Sequence, residues 1–185
     1  MKKSLFNLGL LGLAVLTMLS ACSKDSTGPD GEGNNNEITV GSGVMALKAN
    51  NSQVVFEDIA GTIFIPGNAV SAYGTSTNSL SGFALVLNDP DGIRPGSYPI
   101  ADYNTATGLQ KFFTCAYSQI VSLDSALAAV PDTLNPAGSL TITEVDFGNG
   151  FISGTFNADL KTREGFLVRL TEGQFNRLPL TSGKR

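Results

Sequence analysis

The chain has 185 residues, with 12 basic and 16 acidic side chains, no histidine, no tryptophan and two cysteines. Without histidine, Ser-His-Asp and Cys-His catalysis, histidine-ligated zinc and the usual general base near neutral pH are excluded. The acidic balance argues against nucleic acid and anionic lipid headgroups as partners, since both are held by basic patches.

The chain opens with Lys2 and Lys3, and residues 5–20 carry no charge and are dominated by Leu, Val, Ala, Phe and Met. A basic start, an apolar middle and a small-residue end make the layout of a secretory signal. As a helix the apolar run would be roughly 24 Å long, short of the ~20 residues that a spanning helix needs, and no basic stop-transfer flank follows it. It ends in Leu19-Ser20-Ala21-Cys22, which resembles the lipobox of bacterial lipoproteins. That resemblance implies cleavage before Cys22, a diacylglycerol on its sulfur and acylation of the new amine. Two or more acyl chains anchor a protein stably to a membrane without crossing it. Ser23, in place of the Asp that often retains such lipoproteins at the inner membrane, favours the outer membrane. Residues 1–21 are thus expected to be a signal peptide.

Removing residues 1–21 takes away two lysines and no acid, leaving a formal charge of −6. Residues 23–36, "SKDSTGPDGEGNNN", contain no large apolar side chain. Such a stretch cannot bury enough surface to offset its ordering entropy, so 22–36 is expected to be the lipidated cysteine and a flexible tether of about 20 Å. Residues 37–185 are expected to be one domain, large enough to fold without metal or disulfide. With Cys22 lipidated, only Cys115 remains, set among aromatics in "KFFTCAYSQI" and read as a small buried hydrophobe.

Phe, Val, Ile, Thr and Tyr then recur in short runs punctuated by Gly, Asn, Asp and Pro, the signature of strands. "VMALKA" and "QVVFED" flank Asn50-Asn51, a hairpin turn. "GTIFIP" and "FALVLN" are nearly continuous apolar runs, expected to be central and covered on both faces. "DPDG", 89–92, is a turn; "PGSYPI" leads into a short strand, and "QKFFTCAYSQI" is another. "SLDSALAAVP", 122–131, has helical propensity, with Ser122 as cap and Pro131 as stop, and predicts a surface insertion with about two helical turns.

The C-terminal third is the most regular. "SLTITEVDF" changes phase between Ile142 and Val145, which predicts a β-bulge near Thr143-Glu144. "GNG", 148–150, predicts a tight hairpin. In "FISGTFNADL", Ile152, Gly154, Phe156, Ala158 and Leu160 share one face, and "GFLVRL" continues the alternation with Phe166, Val168 and Leu170 after a turn at 161–165. A final short strand is expected at 174–178. No internal repeat is evident. The sum is an all-β domain: an antiparallel sandwich of about eight to ten strands, with a closed or partly open β-barrel as the alternative.

"GSLTITEVDFGNGFISGTFNADL", "LTEGQFNRLPL" and "RPGSYPI" upstream resemble a group of uncharacterised lipoproteins of Bacteroidota. These carry a G-x-L-T-I-T, I-S-G-T-F, G-x-F series after a PGxY segment. The resemblance covers roughly residues 80–180 and implies an all-β domain on a cell-envelope lipoprotein. It brings no activity and no functional residue. Structurally, Gly154 reads as close packing within a strand, Phe156 and Phe175 as core.

Candidate chemistry is sparse. Paired acids, as in glycosidases, occur at Asp89/Asp91, Glu57/Asp58 and Glu144/Asp146. The first two pairs sit in turn-like positions, and the third flanks the predicted bulge. Asp-x-Asp-Gly at 89–92 begins many calcium loops, but no acid follows until Asp102, so a polar turn is the expectation. No catalytic, cofactor-binding or metal-binding residue is therefore assigned; the one assigned site is Cys22, for lipidation. Tyr73, Tyr98, Tyr103 and Tyr117 are the aromatic groups on which a sugar ring would stack. The sequence reading is a membrane-anchored, non-enzymatic envelope protein with a binding or interaction module. Its partners are the bilayer through acylated Cys22 and a polysaccharide or envelope protein, on the loop expected at 122–138. A carboxylate-dependent hydrolase and a purely structural envelope protein are the alternatives.

Overall fold

The computed structural model describes residues 38–64, 68–102, 106–122 and 125–182. The lipobox, Cys22, the tether and Tyr103 lie outside the described residues. Within them the fold is all-β and contains no helix. Eleven strands follow in chain order: β1 (Val44–Ala49), β2 (Ser52–Phe56), β3 (Asp58–Phe64), β4 (Ala69–Ser76), β5 (Ser81–Asn88), β6 (Gly96–Pro99), β7 (Phe112–Ser122), β8 (Ser125–Pro131), β9 (Ala137–Asp146), β10 (Phe151–Thr162) and β11 (Leu167–Ser182).

All eleven hydrogen-bond into one sheet in the order β2-β1-β11-β3-β4-β5-β7-β8-β10-β9-β6, and β10 also pairs with β11. That extra pairing closes a ring from β11 through β3, β4, β5, β7, β8 and β10 back to β11. Two strands change neighbour along their length to allow it. β11 pairs with β1 through residues 170–176 and then, in parallel, with β3 through residues 180–182. β10 pairs with β9 up to Asp159 and with β8 from Leu160 to Thr162. β2 packs across from β4 and β5, and β6 and β10 across from β7, so that β2-β1-β11-β10-β9-β6 opposes β3-β4-β5-β7-β8. The sandwich and barrel expectations thus describe two aspects of one sheet: opposed layers joined at two corners.

The core between the layers is built from alternating side chains. β5 buries Ser81, Phe83, Leu85 and Leu87, and β10 buries Ile152, Gly154, Phe156, Ala158 and Leu160. A run of four phenylalanines crosses it. The Phe83 ring stacks on Phe156 at 5.0 Å, and Phe56 and Phe175 flank them at 5.9 and 6.3 Å. Aromatic pairs at such spacings add about 0.5–1.5 kcal/mol each beyond the area they bury.

Local sequence fixes several turns and kinks as expected. Asn50 and Asn51 both adopt positive φ, 47° and 69°, as a two-residue primed hairpin demands. The Asn50 side chain also accepts the Arg169 N–H at 2.9 Å. In β9 the register passes from Glu144 opposite Ser153 to Ile142 opposite Gly154. Thr143 is therefore the unpaired residue of the predicted bulge.

Four expectations are corrected. Residues 125–131 form β8, not a helical insertion. Alanine is the best helix former, but intrinsic propensity is a small preference, and pairing with β7 on one side and β10 on the other prevails. The strand expected at 174–178 belongs to β11, which runs unbroken from 167. Glu172 (φ 51°) and Arg177 (φ 49°) absorb two register shifts within that one strand. Phe166 sits in the preceding turn and is exposed, so the alternation starts at Leu167. "FALVLN" is core on one face only; Ala84 and Val86 on the other are half-buried. β4 is an additional strand, missed because its inward residues Ala72 and Gly74 are small.

The strongest local constraint lies between β10 and β11. Gly154 pairs with Phe175, and Phe156 pairs with Gly173. A Cβ on Gly154 would sit 2.5 Å from the Thr141 carbonyl oxygen and 2.7 Å from the Phe175 ring; one on Gly173 would lie 2.6 Å from the Phe156 ring. Each ring covers the glycine opposite it. Gly154→Ala is expected to destabilise the domain by about 1–3 kcal/mol, because the clashing oxygen is backbone and cannot rotate away. A lowered urea midpoint with unchanged slope is the outcome to look for.

Candidate functional site

The acids singled out by sequence take different structural roles. Asp89 closes β5 and is buried, 1% exposed. Its Oδ1 accepts the Asp91 N–H at 3.1 Å, and its carbonyl accepts the Gly92 N–H at 2.9 Å, with Gly92 at φ 95°. This is the polar turn expected from "DPDG". Asp89 Oδ2 faces inward, 3.6 Å from Lys111 Nζ and 4.0 Å from Arg94 Nε. The Asp91 carboxylate stays on the surface, 3.6 Å from the Arg94 guanidinium.

Tyr98, on β6, completes this cluster. Its hydroxyl accepts the Arg94 N–H at 3.0 Å, donates to the Arg94 carbonyl at 2.9 Å and lies 3.4 Å from Asp89 Oδ2. Lys111 Nζ lies 4.1 Å from the centre of its ring, a cation–π contact. Burial, offset in part by the Arg94 backbone bond, pushes the Tyr98 hydroxyl above the usual phenol value, with the Asp89 carboxylate adding to the rise. A tyrosine bonded back to the chain four residues upstream pins a corner, here the crossing from β5 in one layer to β6 in the other. This accounts for the tyrosine of "RPGSYPI" without any ligand. The Asp89 carboxylate is met by two cations, an environment that opposes a further one. Among the described residues no group of three or more His, Cys, Asp and Glu side chains is placed to hold a metal ion.

The other acid pairs are also spoken for by turns or solvent. Asp146 accepts the backbone N–H and the side-chain amide of Asn149 at 2.9 and 2.6 Å, and these bonds hold its carboxyl below the usual range. Glu144, beside it at the bulge, is exposed, as are Glu57 and Asp58. Cys115 is buried, and desolvation pushes its thiol up to about 12. Of the tyrosines, Tyr98 and Tyr117 are buried, Tyr117 sharing a 3.1 Å hydrogen bond with Ser81, whereas Tyr73 is 44% exposed.

The surface expected on a loop at 122–138 is corrected with that loop. β8 takes the middle of the segment, and the short turn at 132–136 is held by Asp132, which accepts the Leu134 N–H at 3.0 Å and the Lys161 ammonium at 2.5 Å. The extended surface that the fold does present is the outward side of β3, β4, β5, β7 and β8. These five strands carry one charged side chain, Asp58. Lys48, Glu144, Asp146, Asp159, Lys161, Arg169, Glu172 and Arg177 all lie on strands of the opposing layer. The alternation Ser71, Tyr73, Thr75 against Val70, Ala72, Gly74 was the available signal for this face.

Comparison of the chain with protein-family models, curated proteins and solved structures finds no match.

Two outcomes check this account. Tyr98→Phe removes a buried hydroxyl that serves both groups of Arg94 and is expected to cost about 1–3 kcal/mol. Asp91→Ala, which breaks only an exposed ion pair, should change stability by less than about 0.5 kcal/mol in the same titration. Because the raised pKa keeps Cys115 as a thiol, it should stay inert to a thiol-specific reagent at pH 8 in the native protein and react on unfolding.

Proposed function

We propose that the protein is a lipid-anchored component of the bacterial cell envelope whose domain is a non-catalytic binding module. The observation that carries this reading is Leu19-Ser20-Ala21-Cys22 at the end of an uncharged apolar run, followed by a stretch with no large apolar side chain. Acylation at Cys22 would anchor the mature chain at a membrane, with Ser23 favouring the outer one. Residues 23–36 would then hold the folded domain about 20 Å from the lipid. A non-catalytic role is supported by the absence of histidine from the chain and by the commitment of Asp89 and Asp146 to turns. The layer whose strands carry a single charge, Asp58, supports recognition of a ligand without net charge.

The test is lipidation itself. In a Gram-negative cell fed labelled palmitate, the wild-type chain should take up label, fractionate with the outer membrane and yield an N-terminal peptide beginning at a diacylated Cys22. Cys22→Ser should lose the label and that peptide. An unmodified, uncleaved N-terminus in the wild type would refute the reading.

A further inference from the structure

We propose that the outward face of β3, β4, β5 and β7 is a binding platform for a neutral polysaccharide, with Tyr73 as its stacking residue. This rests on the binding-module reading above and adds the class of ligand and the surface that takes it.

The register of the strands sets the platform out in rows. Tyr73 is directly opposite Ala60 on β3 and Ala84 on β5, and Ala84 is opposite Ala116 on β7. Neighbouring strands are ~4.8 Å apart, so the residues in line with Tyr73 present methyl groups for a strand on one side and two on the other, with Thr62, Asp58 and Val86 at the diagonal positions. No cross-strand partner is tall enough to pack over it, and it stays 44% exposed at the middle of the sheet. The flanking positions on β4 are Ser71 and Thr75, and Thr62 lies opposite Ser71. An aromatic ring standing clear of its neighbours, with hydroxyls a residue pair away along the strand, matches a sugar ring. Such a ring offers an apolar C–H face and hydroxyls at its rim.

Charge decides which polysaccharide. A uronate, sulfate or phosphate group brought onto this face would meet no cation on these strands and would face the Asp58 carboxylate at its border. A neutral chain leaves no ion unpaired, and Asp58 can accept bonds from its hydroxyls. A second copy of this protein is disfavoured by the same residues. Interface cores between proteins are rich in aromatics, Met and Arg. Here Tyr73 is the one exposed aromatic ring among the described residues of these strands, and the exposed apolar side chains Ile120, Val121 and Val130 lie on β7 and β8, away from it. The residues paired with Tyr73 are alanines and those flanking it on β4 carry hydroxyls, which is not an apolar interface core.

The experiment is native affinity electrophoresis of the full-length chain in detergent through gels containing glycogen, laminarin, xylan or galactomannan, with polygalacturonate and heparin as anionic controls. At least one neutral polymer should retard the protein, and neither anionic one should. Tyr73→Ala should weaken the interaction about tenfold, equivalent to about 1.4 kcal/mol, while Tyr73→Phe keeps it. Ala84→Lys, which raises a long side chain beside the ring, should weaken it independently; far-UV circular dichroism establishes that each variant is folded. Migration unaffected by all four neutral polymers, Tyr73→Ala binding as well as wild type, or retardation by the anionic polymers alone would each overturn the proposal. So would sedimentation showing a dimer that Ala84→Lys dissociates, since the face would then belong to a second copy. Binding is read without reference to the anchor, so failure here leaves the palmitate result standing, and failure of lipidation leaves this measurement intact.

Discussion

The reciprocal glycine–phenylalanine pairs between β10 and β11 are the constraint on which the rest of the structure depends. Phe156 lies over Gly173 and Phe175 over Gly154, so two large rings fit across one strand pair only because their partners have no side chain. The rings then project into the space between the layers, where Phe83 stacks on Phe156 and Phe56 packs beyond it. β10 and β11 are also the strands that change neighbours, one toward β8 and the other toward β3. The same two strands thus supply the centre of the core and both corners at which the layers join. Closing the ring demands sharp local twist, and β11 provides it through residues at positive φ, Glu172 and Arg177, where the register slips. The glycine of "EGQF" therefore serves as a covered floor for an aromatic ring, within a strand rather than at its end.

How much of this was legible in the sequence follows from how each element is held. Where a local rule and the burial pattern coincide, the reading was sound. Asn50-Asn51 tolerates the left-handed conformation its turn needs, Thr143 marks a phase change that only a bulge resolves, and "FISGTFNADL" alternates from Gly154 to Leu160 because one face is core there, while Phe151 and Ser153 before it are also buried. Where tertiary pairing outweighs local preference, the reading failed. "SALAAV" is a strand because β7 and β10 offer hydrogen bonds on both sides. β4 hid behind small inward residues whose burial depends on the large side chains facing them. The continuity of β11 was invisible because a bulge and a chain break have the same composition. The ring closure has no signature within any one segment, since it consists of pairings between residues far apart in the chain.

The cluster around Asp89 illustrates the same separation of local and long-range effects. "DPDG" is a turn by its own chemistry, and the Asx bond to Asp91 would form in a peptide. What makes Asp89 unusual is burial beneath Tyr98, with Lys111 and Arg94 brought from later in the chain. Taking a carboxylate out of water is costly unless charges and hydrogen bonds replace the solvent. Here a lysine, an arginine, a tyrosine hydroxyl and a backbone N–H do so together. Losing any one would leave the carboxylate under-compensated, which ties the passage from β5 to β6 to a single geometry. An acid that looked like a candidate catalyst in the sequence is in this setting a structural anchor.

The division of charge between the layers then gains a physical meaning. An exposed strand face commonly carries Lys, Glu or Arg, both for solubility and to discourage edge or face association. The layer made of β3, β4, β5, β7 and β8 instead surrounds Tyr73 with hydroxyls, alanine and glycine, and places its exposed apolar side chains Ile120, Val121 and Val130 on β7 and β8. Displacing water around Tyr73 leaves only the Asp58 carboxylate at the border to keep its solvation, and stripping an ion costs several kcal/mol per charge when it is required. Hydroxyls that lose water can be satisfied by the hydroxyls of an incoming chain, whereas an apolar partner would leave them unpaired at about 1–3 kcal/mol each. The face is thus cheap to desolvate for a neutral, hydroxyl-rich ligand and expensive for an apolar or an anionic one. Nearly all strand charge lies on the opposite layer, so the binding proposed for this face would require almost no ion to be desolvated.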